Sequence, residues 1–184
     1  MIVITGLRSG RALMMQTLKL LGFPVTGFLF HDDFCHKELN PKGYYDLPIR
    51  EVINGLNTDI YKGKAVKLGG IELYRTNPKY VSKIIWCRRN QKESIKSICK
   101  MLIAEEGKIN IEPRLENAEL LYLINLDHII KTIKRNDVPS LEIYYEEMIL
   151  ATEKTIEKVK EFLNIKTDIN KAVLNVDGRE LVWQ

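Results

Sequence analysis

Apolar residues along this chain fall into two alternating patterns: short continuous runs, and stripes spaced i, i+3, i+4, i+7. Residues 2–5 form a β-branched run of strand length. A tight turn, Gly6-Leu7-Arg8-Ser9-Gly10, follows it, and an apolar helix over about 10–21 stops at Gly22, with Pro24 just beyond. The pattern then predicts a short strand at 24–26, a long polar and aromatic loop at 28–46, and a short helix at 47–56. Buried strands are expected at 64–68 (KAVKL) and 82–88 (SKIIWCR). After Arg89 the period changes, and Ile95, Ile98, Cys99 and Leu102 share one helical face. Leu115, Ala118, Tyr122, Leu126, Ile129 and Ile133 mark a second, longer amphipathic helix. A last strand is expected at 139–145, and a helix lined by Ile156, Val159 and Leu163 ends near Asn164. The tail, 165–184, has no clear period. Strand and helix alternate, which predicts an α/β fold: a three-layer sandwich with a central parallel sheet.

Length and composition narrow the partners. The chain has 184 residues, 45% of them apolar and 28% charged, which suits one soluble domain over 1–184 with a real core. The net charge of +4 does not argue for nucleic acid and is compatible with a small anionic ligand. Cys35, Cys87 and Cys99 are odd in number and far apart, so reduced thiols and a cytoplasmic setting are expected. No run reaches membrane-spanning length, so no membrane partner is expected. The N-terminal apolar run leads straight into the turn, so it reads as strand rather than leader. Oligomeric state is not readable.

The turn after the first strand carries the first chemistry. A strand–glycine loop–helix unit presents free backbone N–H groups at a helix N-terminus, and with the helix dipole these make an anion site. Arg8 adds a planar cation suited to phosphate or sulfate. A nucleotide triphosphatase loop would read G-x-x-x-x-G-K-[ST]. Here Gly6 and Gly10 are too close, and Arg11-Ala12 stands in place of Lys-Ser/Thr. The strand at 82–87 ends in Cys87-Arg88-Arg89 rather than an aspartate. Both usual Mg²⁺ ligands are thus missing, and no metal is expected. A second signal lies at 84–102, where a buried strand delivers arginines to its carboxyl end and a helix starts at once. Ser97 lies two helical turns beyond Arg89.

At this point the chain resembles the PAPS-dependent sulfotransferases (PAPS is 3′-phosphoadenosine 5′-phosphosulfate). Their first motif is P-[KR]-S-G-T-[TS], and "LRSGRA" at 7–12 is similar to it. Their second motif is an Arg after a buried strand with a Ser eight residues on, a spacing that Arg89 and Ser97 share. "LEIYYEEMILATEKTIEKVKEFLNI" at 141–165 is similar to the family's strand, Tyr-Glu and helix ending Phe-Leu-x-Ile. "NPKGYYD" at 40–46 resembles the N-P-x-G-Y segment of many bacterial members. The resemblance implies a phosphate-loop nucleotide-binding topology. Arg8, Ser9, Gly10, Arg11 and Ala12 would hold the 5′ end of the nucleotide, and Arg89 and Ser97 its 3′-phosphate. It implies metal-free, in-line transfer of a sulfuryl group from PAPS to a hydroxyl or amine of a small-molecule acceptor, leaving 3′,5′-diphosphoadenosine (PAP). A sulfuryl group carries less charge than a phosphoryl group, so cations and amides alone can manage it. Three positions depart from the family: Leu7 replaces the proline, and Arg11 and Ala12 replace the two hydroxyl residues.

The acceptor must lose a proton, and the 28–46 loop offers His31, Asp32, Asp33, His36, Glu38 and Asp46. Asp46 matches the acidic end of the N-P-x-G-Y segment and ranks first, His31 second. Asp46 also reads as a cap for a helix starting at Leu47. Arg8 is the expected electrophilic group on the leaving phosphate. Lys67 ends a strand, and the sequence favours a lysine snorkelling to water over one facing the cleft. Two alternatives stay open: a degenerate PAP-binding relative acting as sensor or scaffold, and a phosphate-loop nucleotide kinase.

Overall fold

The computed structural model describes residues 1–29, 42–104 and 114–176. The order of elements is β1 (Ile2–Thr5), α1 (Arg11–Leu20), α2 (Ile49–Val52), β2 (Ala65–Lys67), α3 (Gly70–Arg75), β3 (Lys83–Arg88), α4 (Gln91–Ala104), α5 (Leu115–Asn136), β4 (Ser140–Tyr144), α6 (Tyr145–Leu150), α7 (Thr152–Leu163) and α8 (Asn170–Val176). The four strands form one parallel sheet in the order β2-β1-β3-β4.

Alternation of side chains across the pleat divides the core into two layers. Ile2, Ile4, Ile85, Cys87 and Ile143 face one side, where they meet α1, α7 and α8 through residues such as Leu18, Ile156 and Ala172. Val3, Val66 and Ile84 face the other, against Leu73 of α3 and Ile129 of α5. A third cluster, Ile95, Ile98, Leu102 and Ala118, joins α4 to α5 and reaches Leu7 in the turn after β1. Both faces of the sheet are covered, which is why β1 and the middle of β3 read as unbroken apolar runs rather than as alternating ones.

The chain runs from β1 to β2 on one side, then crosses to β3 on the other. The carboxyl ends of β1 and β3 are therefore the switch point of the sheet, where open α/β folds leave a crevice for a ligand. The turn at 6–10 and the arginines at 88 and 89 both lie there.

Some elements differ from expectation. The strand foreseen at 24–26 is a single bridge, Val25 to Ala65. The helix foreseen at 47–56 is only Ile49–Val52, starting after Pro48 at its N-cap. Asp46 is therefore not a helix cap. The last strand stops at Tyr144, since Tyr145 already opens α6. Helices α3 and α8 were not foreseen. Among the described residues no helix is long and apolar enough to cross a membrane.

Candidate functional site

The turn between β1 and α1 is built by two glycines and one strained arginine. Gly6 has φ 121, and a β-carbon there would come within 2.1 Å of the Cys87 carbonyl oxygen. Gly10, at φ 87, is the N-cap of α1, and a β-carbon there would strike the Tyr145 ring at 2.6 Å. Between them Arg8 adopts φ 51, a left-handed conformation that costs a non-glycine residue about 1–2 kcal/mol. Strain of this kind persists only where surrounding contacts hold it. Helix α1 has no side-chain cap and no acidic residue in its first turn. Its first intrahelical bond is Met14 N–H to the Gly10 carbonyl, so the amides of Arg11, Ala12 and Leu13 have no carbonyl within the helix.

Arg8 is half-buried, and its Nε donates to Ser97 Oγ at 2.9 Å. Burial lowers the pKa of Arg8; Tyr44 opposes that, while the charges of Arg11 and Arg89 add to it. Several cations thus share one confined space, an arrangement that favours an anion. Ser97 accepts from Arg8 and keeps its own proton to donate. Arg89 stacks on Tyr145 at 4.9 Å and reaches Glu93 at 3.9 Å. Since Tyr145 also abuts Gly10, Arg89 and the start of α1 share one aromatic wall. Arg88 turns to the other sheet face. It pairs with Glu142 at 2.6 Å and lies between the rings of Trp86 and Tyr144.

Lys67 corrects the sequence expectation, because it does not snorkel. It is 7% exposed, and its Nζ lies 2.7 Å from the Asp46 carboxylate and donates to the Tyr44 carbonyl. The strand end alone would have left it wet. The segment 42–46 folds over it instead, held by Gln16 Nε2 on the Gly43 carbonyl and by the Phe28–Asp46 bridge. Burial pulls the Lys67 pKa down to about 8; Asp46 opposes that, and the nearby Arg11 and Arg8 charges add to it. Arg11 is also felt by Cys87, whose buried thiol is pushed up to about 12. Arg11, which opens α1, is thus within electrostatic range of Lys67, Arg8 and Cys87. Asp46, unlike Lys67, keeps 46% of its side chain exposed. His31, Asp32, Asp33, His36 and Glu38 lie outside the described residues. Among the described residues no group of acidic, His or Cys side chains could hold a metal ion.

Lys67 makes a pH prediction. Its folded pKa, about 8, lies below its ordinary 10.5, so the unfolded chain binds more protons between those values. Folding stability contributed by this group therefore rises with pH across that window. The stability of the wild type relative to Lys67→Met is expected to increase by about 2 kcal/mol between about pH 7 and about pH 10 in urea titrations. A constant difference would mean that Lys67 is not buried as a cation.

A parallel α/β sheet, a glycine turn at its switch point and an uncapped helix start near several cations are the features that define the fold and its candidate site. Among solved structures the chain is similar to mouse sulfotransferase SULT7A1 complexed with PAP, with a TM-score of 0.56 and 17% identity. The match covers 96% of this chain and 61% of that one, so the chain spans less than two thirds of the protein it resembles. The likeness establishes a sulfotransferase-like fold. No protein-family model matches the chain, and no curated protein matches it by sequence.

Proposed function

We propose that this chain is a PAPS-dependent sulfotransferase that moves the sulfuryl group to a hydroxyl or amine of a small acceptor. The observation that carries the reading is Arg8, held by Ser97 at the uncapped start of α1 in a fold shared with a protein crystallised with PAP. The residues fit an anionic nucleotide: the amides of Arg11 to Leu13, the Arg8 and Arg89 guanidinium groups and the Ser97 hydroxyl all serve as donors. PAPS would supply the activated sulfuryl group and a phosphate leaving group. Arg8 neutralises charge that develops on the leaving phosphate, in a confined space where that charge is worth more than in water. Asp46, half-exposed and oriented by Lys67, takes the acceptor's proton. Lys67 adds a buried cation beside the same cleft.

The test is calorimetric titration in excess chelator with PAP and with adenosine monophosphate, which lacks the 3′-phosphate. The wild type is expected to bind PAP more tightly. Arg89→Ala should cost roughly 10-fold or more for PAP and little for the monophosphate, as expected for the loss of a charged hydrogen bond. Equal losses would remove Arg89 from the 3′-phosphate. Binding that needs Mg²⁺ would return the kinase reading. Arg11 and Ala12, where hydroxyl residues would stand, favour the second reading of a nucleotide sensor, and PAP binding without sulfuryl transfer would support it.

A further inference from the structure

Five buried side-chain polar atoms have no partner among the described residues: Thr5 Oγ1, Ser9 Oγ, Thr17 Oγ1, Ser94 Oγ and Asn175 Nδ2. Two of them face one crevice beside the 6–10 turn, and a third lies on the same sheet face. Ser9 and Ser94 line this small crevice between the end of β3, α4 and α5. Thr5 is in register with Trp86, another residue of that lining, so its side chain is on the same sheet face. Ser94 is 0% and Ser9 4% exposed. Buried hydroxyls without partners are costly and rare. The Asn125 side chain, also at the crevice, is already used: its Oδ1 accepts from Gly70 N–H and its Nδ2 donates to the Leu121 carbonyl.

We infer that ordered water bridges Ser94 to Ser9 in this crevice, and that Ser94 is thereby a positioning residue for the 6–10 turn. A water needs two to four polar partners and a polar cavity, and the hydroxyls lining the crevice provide both. The arrangement gives α4 two holds on the turn. Ser97 binds Arg8 directly. Ser94, three residues earlier and on the same helical face, reaches Ser9 through solvent. The strained Arg8 conformation is then fixed from two neighbouring positions of one helix.

The test uses two isosteric variants. Ser94→Thr and Ser94→Val add the same bulk, and only threonine keeps a hydroxyl. Hydrogen exchange of the 6–10 amides in the free protein is expected to run roughly three- to tenfold faster in Ser94→Val than in Ser94→Thr. PAP affinity should fall by a similar factor in Ser94→Val alone. The exchange arm needs no ligand, so its outcome is separate from the nucleotide reading on which the affinity arm rests. Equal exchange in the two variants would overturn the inference. If Ser94→Val does not fold, a high-resolution crystal structure of the wild type decides. Water within hydrogen-bond distance of both hydroxyls supports the inference, and a dry crevice or a direct protein partner for Ser94 Oγ overturns it.

Discussion

Arg8→Ala is expected to lower the rate of PAP formation from PAPS by roughly 10²–10³-fold, the usual cost of removing one preorganised donor from a charge-stabilising site. The variant removes the side chain that hydrogen-bonds the turn after β1 to α4, by the 2.9 Å bond to Ser97. Two effects then add. The leaving phosphate loses a cation in a confined site, and the turn loses the contact that holds its strained residue at φ 51. Arg8→Lys separates them. It keeps a charge but not the planar fork that binds Ser97 through Nε, so an intermediate rate is expected. Single-turnover measurement across a panel of hydroxyl and amine acceptors checks this. A loss below about threefold in Arg8→Ala would remove Arg8 from the chemistry.

Arg11→Glu is expected to abolish PAP binding at low salt, a loss of at least roughly a hundredfold. Reversing a charge near an anion costs a few kcal/mol at the effective dielectric of a protein surface. The motivation is positional. Arg11 opens α1, where the dipole already favours anions, and its charge is felt by Lys67, Arg8 and Cys87. Arg11→Thr, which restores the residue type of the resembled motif, should bind PAP within a few-fold of wild type. Unchanged affinity in Arg11→Glu at low salt would show that its side chain points away from the site, which would then depend on Arg8 and backbone amides.

Local pattern was enough wherever a segment's own period decided its structure. The strands at 2–5 and 82–88 are buried on both faces, so each appears as a continuous apolar run. Helices α4 and α5 carry one-sided stripes, and both were legible. Helix α3 was not. It begins at Gly70, and its start is capped from outside by Asn125 of α5, a contact across 55 residues of sequence. A β-carbon at Gly70 would meet the Asn125 backbone oxygen at 2.2 Å, so the glycine that reads as a helix breaker permits a close helix–helix approach. Helix α8 was equally hidden, because its apolar face is defined only by packing on α1 and α7.

The candidate site divides in the same way. The sequence by itself determined the strand–turn–helix unit at 2–20, its arginines and glycines, and the second arginine-bearing strand end, because each depends on neighbours within a few residues. Only the tertiary structure decided that Ser97 is bound to Arg8, that consecutive Arg88 and Arg89 part to different partners, and that Lys67 is buried against Asp46. Those three outcomes depend on which strand lies beside which, and on a segment folding back over a strand end. Burial and pairing of a charge are set by elements distant in the chain, and neither residue type nor spacing encodes them locally.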